Sequence, residues 1–217
     1  HSYWQPLIGV IAVLSFGLGN LVAIAQENLK RMLAYSAIAH IGYALLGLSA
    51  GTATAYAMSL FYLLAYGLMA LTAFGLLVVV SKSGQVEAIN DLRGLNARSP
   101  WLALVMLLAM FSMAGIPPTV GFFAKLGILL GLIGADQLWM ATLAIIFAII
   151  GAYYYLNVIK VMYFEEPEPT LPRLMVAPDA YLALSINAIL LLVLGLFPSQ
   201  LMELAQTAFF TINHPVY

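Results

Sequence analysis

The chain has 217 residues, of which 64% are hydrophobic and 8% are charged, and its formal net charge is −1. Soluble domains carry roughly 25% charged residues; a soluble chain this poor in charge could not cover its surface, so the sequence predicts an integral membrane protein. The small net charge offers no basic field for nucleic acid, and a sequence without cysteine excludes disulfides, zinc–thiolate sites and cysteine-ligated iron–sulfur clusters.

Six apolar segments are long enough to cross a bilayer core, which requires about 20 mostly apolar residues. In chain order they are 6–25, 32–50, 56–80, 101–133, 138–164 and 177–197. They are continuous runs, unlike the short alternating segments of a membrane β-barrel. The sequence therefore predicts an all-α, polytopic membrane helix bundle with about six transmembrane helices.

Three polar segments lie outside these runs. Loop 81–99 has spaced apolar residues and is either a short helix along the membrane surface or an ordered loop. Residues 165–176 are Pro-rich and acidic, which is typical of an extended connector. Residues 199–212 have the pattern of an amphipathic interfacial helix.

Basic residues are distributed unevenly between the two sides that six crossings define. Every one except Lys125 lies on or beside the connections 26–31, 81–99 and 165–176. These residues are Lys30, Arg31, Lys82, Arg93, Arg98, Lys160 and Arg173. Because cytoplasmic loops of membrane proteins are enriched in Lys and Arg, this side is expected to be cytoplasmic and both termini are expected on the opposite side.

The fourth apolar segment is interrupted near its middle. As one helix, residues 101–133 would span about 50 Å, against a bilayer core of about 30 Å. Within it lie Gly115 and the pair Pro117 and Pro118, and two adjacent prolines remove two backbone donors and force the helix to break. Such breaks are tolerated at membrane depth only where protein or water meets the freed backbone, and in transporters they mark ion sites.

Lys125 lies eight residues beyond Pro117, in the second half of the broken helix. A lysine near the bilayer centre costs about 2.5–3.5 kcal/mol on insertion scales, and burial favours its neutral form. A lysine there can take up and release protons. The structural alternatives are that Lys125 reaches an interface or forms a static ion pair with another segment; its place beside a helix break favours proton transfer.

Two further ionisable residues belong to the second segment and the turn before it. Lys30 stands just before the segment, at the start of the expected helix, and either carries protons or anchors at the headgroups. His40 lies ten residues further on, with Ser36 and Tyr43 on the same helix face. A histidine here is either a hydrogen-bonded packing residue or, because it titrates near neutrality in water, a proton relay.

Tyrosines accompany these residues on two other segments. Tyr62 and Tyr66 form an i, i+4 pair on the third segment and either line a water path or pack in the core. The run Tyr153, Tyr154 and Tyr155 covers most sides of the fifth segment, which favours packing.

Four stretches of the chain resemble the antiporter-like subunits of proton-translocating NADH:quinone oxidoreductase (respiratory complex I), which are related to subunits of multi-subunit Na+/H+ antiporters. They are 26–36 (QENLKRMLAYS), 39–43 (AHIGY), 91–95 (DLRGL) and 113–125 (MAGIPPTVGFFAK). Tyr62, Tyr66 and Ala70 occupy the stretch where L-type members carry histidine and lysine, and Lys125 stands where M-type members have glutamate. The chain is therefore most similar to the N-type members.

The resemblance covers nearly the whole chain but only the second half of a 14-helix subunit built from two inverted five-helix repeats. Since the chain begins at His1 without Met, we expect a piece of a longer protein. The resemblance implies that residues 1–164 are the second repeat, and that residues 165–217 hold a connector, the terminal transmembrane helix and a tail.

The resemblance also implies a function: proton translocation through Lys125, Lys30, His40 and Tyr66, coupled to redox chemistry in other subunits. NADH, FMN, iron–sulfur clusters and quinone are expected in those partner subunits, with no cofactor, metal or complete active site in this chain. The implied partners are the other membrane subunits of complex I, including neighbouring antiporter-like subunits, the missing N-terminal half and the lipid bilayer, but no nucleic acid.

The implied location is the bacterial inner membrane, with both termini of the segment periplasmic. Two other readings stay open. One is a subunit of a cation/proton antiporter, which shares the broken helix, or of a membrane-bound hydrogenase. The other is a structural scaffold of such a complex.

Overall fold

The computed structural model describes residues 3–81, 87–167 and 176–213. Its helices are α1 (Trp4–Ile24), α2 (Leu29–Ser49), α3 (Ala53–Ser81), α4 (Leu95–Arg98), α5 (Pro100–Ala114), α6 (Val120–Gly134), α7 (Leu138–Phe164), α8 (Pro178–Leu196) and α9 (Pro198–Asn213). No strand forms within the described ranges, so the all-α prediction is confirmed. Of the described helices, α1, α2, α3, α7 and α8 are each long and apolar enough to cross a membrane.

The predicted break of the fourth segment is confirmed, because α5 and α6 are separate half-helices of 15 residues each. Gly115 ends α5 with φ of +84°, in the left-handed region that glycine adopts without strain. Thr119 has extended backbone and α6 begins at the next residue. The two half-helices are apolar, and each is shorter than the five described helices that could span a membrane.

The terminal helix α8 lies directly against this break. A Cβ added to Gly195 would come within 2.0 Å of the carbonyl oxygen of Pro118 and 2.5 Å of the carbonyl carbon of Thr119. Only a residue without a side chain permits backbones to approach this closely. The irregular backbone between α5 and α6 is therefore covered by protein on the α8 side.

Helices α1 and α2 also pack backbone against backbone. A Cβ on Gly19 would lie 2.6 Å from the amide nitrogen of Ala39, and one on Gly42 would lie 2.5 Å from the amide nitrogen of Phe16. Small residues at helix contacts allow this close approach in membrane proteins. The two helices thus form the tightly joined pair that carries the polar residues described below.

Three connections meet at one end of the bundle. The amide of Ile89 donates to the carbonyl oxygen of Glu27 at 2.8 Å, which ties the loop before α5 to the turn between α1 and α2. The amide of Gly94 donates to the carbonyl oxygen of Val161 at 3.2 Å, which ties the same loop to the end of α7. The connections rich in basic residues therefore share one end, as their charge pattern predicts; Lys82 and Arg173 lie outside the described residues.

The polar segments are less regular than the spans. In loop 81–99, residues 82–86 lie outside the described part; the rest forms a 3₁₀ turn (Ile89–Leu92) and the single turn α4, rather than one continuous surface helix. Most of the predicted connector 165–176, residues 168–175, also lies outside it. The predicted helix in the tail is present as α9, which packs against α3 and fully buries Ala205.

Candidate functional site

The ammonium group of Lys125 lies at the helix break. Its Nζ donates to the carbonyl oxygens of Met113 at 2.8 Å and Ala114 at 3.0 Å, the last two residues of α5. In a regular helix these carbonyls accept the amides four residues on, but here those residues are Pro117 and Pro118, which have no amide hydrogen. Lys125 thus partners the two carbonyls that the prolines leave unpaired.

Two glycines give the lysine this position. A Cβ on Gly115 would lie 2.9 Å from Cδ of Lys125, so the side chain passes where a larger residue would stand. At the start of α6, the amide of Gly121 donates to the hydroxyl of Ser112 at 3.1 Å. A Cβ on Gly121 would lie 1.8 Å from the carbonyl oxygen of Ser112, so the two half-helices touch.

Four buried side chains form a hydrogen-bonded chain that joins three helices. They are, in order, Ser36 on α2, Tyr155 on α7, His40 on α2 and Tyr62 on α3. The hydroxyls of Ser36 and Tyr155 lie 2.5 Å apart, and that of Tyr155 lies 3.0 Å from Nε2 of His40. Nδ1 of His40 lies 2.8 Å from the hydroxyl of Tyr62. Each hydroxyl can both donate and accept, and a neutral imidazole does one of each, so the hydrogen bonds can run in either direction.

Aromatic rings enclose His40 within this chain. The ring of Tyr66 stacks on the imidazole with centroids 4.6 Å apart, and Tyr66 is itself half-buried. Tyr43 stacks on Tyr62 with centroids 5.9 Å apart, and its hydroxyl donates to the carbonyl oxygen of Ala144 on α7. The predicted site residues His40 and Tyr66 are therefore in direct contact.

A small cavity joins His40 to Lys125. Its volume is about 10 Å³, which is close to the space that one water occupies. It is lined by Asn20, Ala39, His40, Tyr43, Lys125, Ala148, Tyr154 and Tyr155. Nζ of Lys125 also lies 5.4 Å from the ring centre of Tyr43, within cation–π range. Both ionisable groups therefore line one water-sized space, together with Tyr154 and Tyr155.

A second cavity of about 300 Å³ lies on the other side of Lys125, between α6 and α7. Its walls are mostly apolar and include Phe122, Leu126 and Ile149. Lys125, Tyr43 and Ala148 line both cavities. Lys125 therefore stands between a water-sized space, whose lining includes polar side chains, and a larger apolar one.

Lys30 is not brought to this cluster. It occupies the first turn of α2 and its side chain is exposed. Ten residues separate it from His40, which is about 15 Å of helix rise. Its assignment as a proton-transfer residue stays a prediction.

Two of the three tyrosines in the run on α7, Tyr154 and Tyr155, are buried in the core as the packing interpretation predicts, and both are also hydrogen-bonded. Tyr155 is hydrogen-bonded within the buried chain, and the hydroxyl of Tyr154 donates to Oδ1 of Asn20 at 2.9 Å. Only Tyr153, 64% exposed, stays outside these contacts. Sequence reasoning also missed Asn20, although an amide in the apolar run of α1 was a usable signal.

Together, these features define a polytopic α-helical membrane protein with a discontinuous helix and a lysine at the break. Among the described residues, no group of three or more His, Cys, Asp or Glu side chains could hold a metal ion. Over residues 1–151 the chain matches the family described as "NADH:quinone oxidoreductase/Mrp antiporter, TM", and it belongs to that family.

Individual relatives agree with this assignment. The chain is 52% identical over 209 residues to NADH-quinone oxidoreductase subunit N of Thioalkalivibrio sulfidiphilus, which covers 96% of this chain and 43% of that protein. It is 33% identical to a chain of respiratory complex I from Thermus thermophilus with bound aureothin, with a TM-score of 0.78 over 91% of this chain and 45% of the other. The chain thus spans less than half the length of the curated relatives it matches.

A third comparison concerns the fold alone. A chain of the Mrp complex from Dietzia superposes with a TM-score of 0.89 over 99% of this chain and 48% of the other, at 22% identity. The helical architecture is therefore shared between the oxidoreductase and antiporter branches of the family.

Proposed function

We propose that this chain is the second half of an N-type membrane subunit of proton-translocating NADH:quinone oxidoreductase, in which Lys125 takes up and releases the translocated proton. The observation that carries the proposal is the placement of its Nζ between two backbone carbonyls and the water-sized cavity that it shares with His40.

The two carbonyls let Lys125 change its protonation state without losing its place. A protonated lysine has three N–H donors, and two of them serve Met113 and Ala114. A neutral amine keeps two N–H groups and gains a lone pair, so both carbonyls stay satisfied. Protonation then changes only the third position, which is a donor in one state and an acceptor in the other.

The buried chain around His40 supplies the route to that position. A proton entering at Ser36 shifts the hydrogen bonds to Tyr155, which is also bonded to His40, and a water in the small cavity that Tyr155 and Lys125 both line carries it to Lys125. Tyr66 supports the imidazole by stacking. Lys30, in the first turn of α2, belongs to the entrance of this route on the cytoplasmic side.

The rest of the chain is placed around this route. Residues 1–164 form the five-helix repeat, and residues 165–217 form the connector, terminal helix and tail. Both termini of the segment face the periplasm of a bacterial inner membrane. Redox chemistry with NADH, FMN, iron–sulfur clusters and quinone takes place in partner subunits, and neighbouring antiporter-like subunits and the first half of this subunit complete the pump.

The test is NADH-driven proton pumping by inverted membrane vesicles that carry the complete complex. We expect Lys125→Ala to abolish most pumping and to slow coupled quinone reduction. The matched control is Lys160→Ala, because the Lys160 side chain is 67% exposed. Wild-type pumping by assembled Lys125→Ala contradicts the proposal and favours a scaffold role. Cation/proton exchange without NADH-driven pumping favours the antiporter reading.

A further inference from the structure

Asn20 is a buried amide in an otherwise apolar stretch of α1, with only 4% of its surface exposed. Its Nδ2 donates to the carbonyl oxygen of Phe16 at 2.7 Å. Because a carbonyl can only accept, this contact fixes the orientation of the amide and turns Oδ1 away from Phe16. Oδ1 accepts the hydroxyl hydrogen of Tyr154 at 2.9 Å.

Gly151 on α7 provides the room for this contact. A Cβ at position 151 would lie 2.6 Å from Oδ1 of Asn20 and 3.6 Å from the hydroxyl oxygen of Tyr154. The amide of α1 therefore fits into a notch on α7 that only glycine leaves open. The hydrogen bond between Asn20 and Tyr154 therefore also depends on Phe16, which orients the amide, and on Gly151, which leaves room for it.

The consequence concerns the water-sized cavity, which both Asn20 and Tyr154 line. The single hydroxyl hydrogen of Tyr154 is committed to Asn20, so toward the cavity Tyr154 can only accept. A water there that donates to Tyr154 cannot pass a proton further, because the neutral amide oxygen behind it has no proton to release in turn. Both ring nitrogens of His40 are already taken by Tyr62 and Tyr155, so the open route between that water and the chain is through the hydroxyl of Tyr155.

We propose that Asn20 is a positioning residue: by holding the hydroxyl hydrogen of Tyr154, it prevents protons from passing through Tyr154. It thereby directs the transfer between the hydrogen-bonded chain and Lys125 through Tyr155 rather than through Tyr154. This inference rests on the proposed function, and it adds to it a residue on α1 that touches neither Lys125 nor His40 by a hydrogen bond.

The test substitutes Asn20→Leu, which keeps the size of the side chain and removes the acceptor, in the complete, assembled complex. The freed Tyr154 hydroxyl then turns its hydrogen toward the cavity and competes for the water. We expect the pumping rate to fall about three- to tenfold, the rate equivalent of one buried hydrogen bond, and the solvent deuterium isotope effect on pumping to rise. Adding Tyr154→Phe to Asn20→Leu removes the competing hydroxyl and is expected to restore pumping at least in part.

The matched control is Asn187→Leu on α8. Asn187 also donates between helices, to the carbonyl oxygen of Leu68 at 2.7 Å and to the hydroxyl of Thr72 at 2.6 Å, but it does not line the cavity. Its loss is expected to leave the isotope effect unchanged. If Asn20→Leu fails to assemble, Gly151→Ala serves instead, since it displaces Oδ1 of an intact Asn20 and is expected to change pumping and isotope effect in the same direction.

Two results overturn the inference. One is wild-type pumping and a wild-type isotope effect in Asn20→Leu or its substitute. The other is an equal loss in Asn20→Leu and Asn187→Leu with no change of isotope effect, which indicates a structural role alone. Lys125→Ala separates this failure from that of the proposed function: if it stops pumping while Asn20→Leu pumps normally, only the role of Asn20 is refuted.

Discussion

The imidazole of His40 is hydrogen-bonded to the hydroxyl of Tyr155, 115 residues further along the chain, at 3.0 Å. The same hydroxyl lies 2.5 Å from that of Ser36. Tyr155 on α7 thus joins two residues of α2 that are one helical turn apart. Its ring is almost fully buried, so its position is fixed by packing as well as by hydrogen bonding.

Tyr155→Phe keeps the packed ring and removes the hydroxyl that links Ser36 to His40. We expect proton pumping by the assembled complex to fall at least about tenfold, since a positioned proton-transfer group typically contributes about 10²–10⁴-fold. Tyr153→Phe is the matched control, since Tyr153 is 64% exposed. Equal pumping by the two variants would show that the route does not pass through Tyr155.

The chemistry of the residue at position 125 gives a second prediction. Arginine keeps a positive charge beside the carbonyls of Met113 and Ala114 but hardly deprotonates in proteins. We therefore expect Lys125→Arg to pump poorly even when it assembles. Lys125→Glu is expected to retain more activity, because M-type relatives have glutamate there. Pumping rates normalised to assembled complex test the order, and an arginine variant as active as wild type contradicts it.

The contact between the half-helices α5 and α6 gives a third prediction. Gly121→Ala places a Cβ 1.8 Å from the carbonyl oxygen of Ser112, and the backbone of α5 cannot yield as a side chain can. We expect a loss of about 1–3 kcal/mol in stability, as for other overpacked sites. Gly134→Ala, at the end of the same helix, meets nothing within 4 Å and should cost nothing. Thermal unfolding of the purified complex compares the two, and equal melting temperatures would argue against a tight break.

The membrane topology of α7 gives a fourth prediction. Gly134 and Glu166 are both exposed and lie at opposite ends of α7. Cysteines introduced at these positions should react with a membrane-impermeant reagent from opposite sides, with position 166 reacting from the cytoplasm. Labelling of intact cells and of inverted vesicles measures this. Reaction of both positions from one side is incompatible with α7 crossing the membrane.

Sequence reasoning predicts the spans and the break well because both follow from local chemistry. Apolar runs of sufficient length define α1, α2, α3, α7 and α8, and two consecutive prolines cannot continue a helix. Lys125 stands out for the same reason, since a charge in such a run is costly wherever the helix packs.

The hydrogen-bonded chain around His40 could not be predicted in this way, because it depends on which helices are neighbours. Nothing near Tyr155 in sequence distinguishes it from Tyr153, yet one is buried against His40 and the other is exposed. The close packing of α1 on α2 brings Asn20 to the same cavity. Such roles are decided by tertiary contacts across more than a hundred residues and carry no local pattern.

The contact of Gly195 with the carbonyl of Pro118 links two parts of the chain that the sequence separates by nearly eighty residues. A premature stop codon between Phe164 and Pro178 would leave the sequences of the first seven helices intact but would remove α8 from the break. Hydrocarbon could then reach the irregular backbone at the break, where each backbone group that loses its internal partner costs several kcal/mol. Truncated products of this kind are expected to be recognised and degraded by membrane proteases. The broken helix is therefore expected to be stable only in a chain that includes α8.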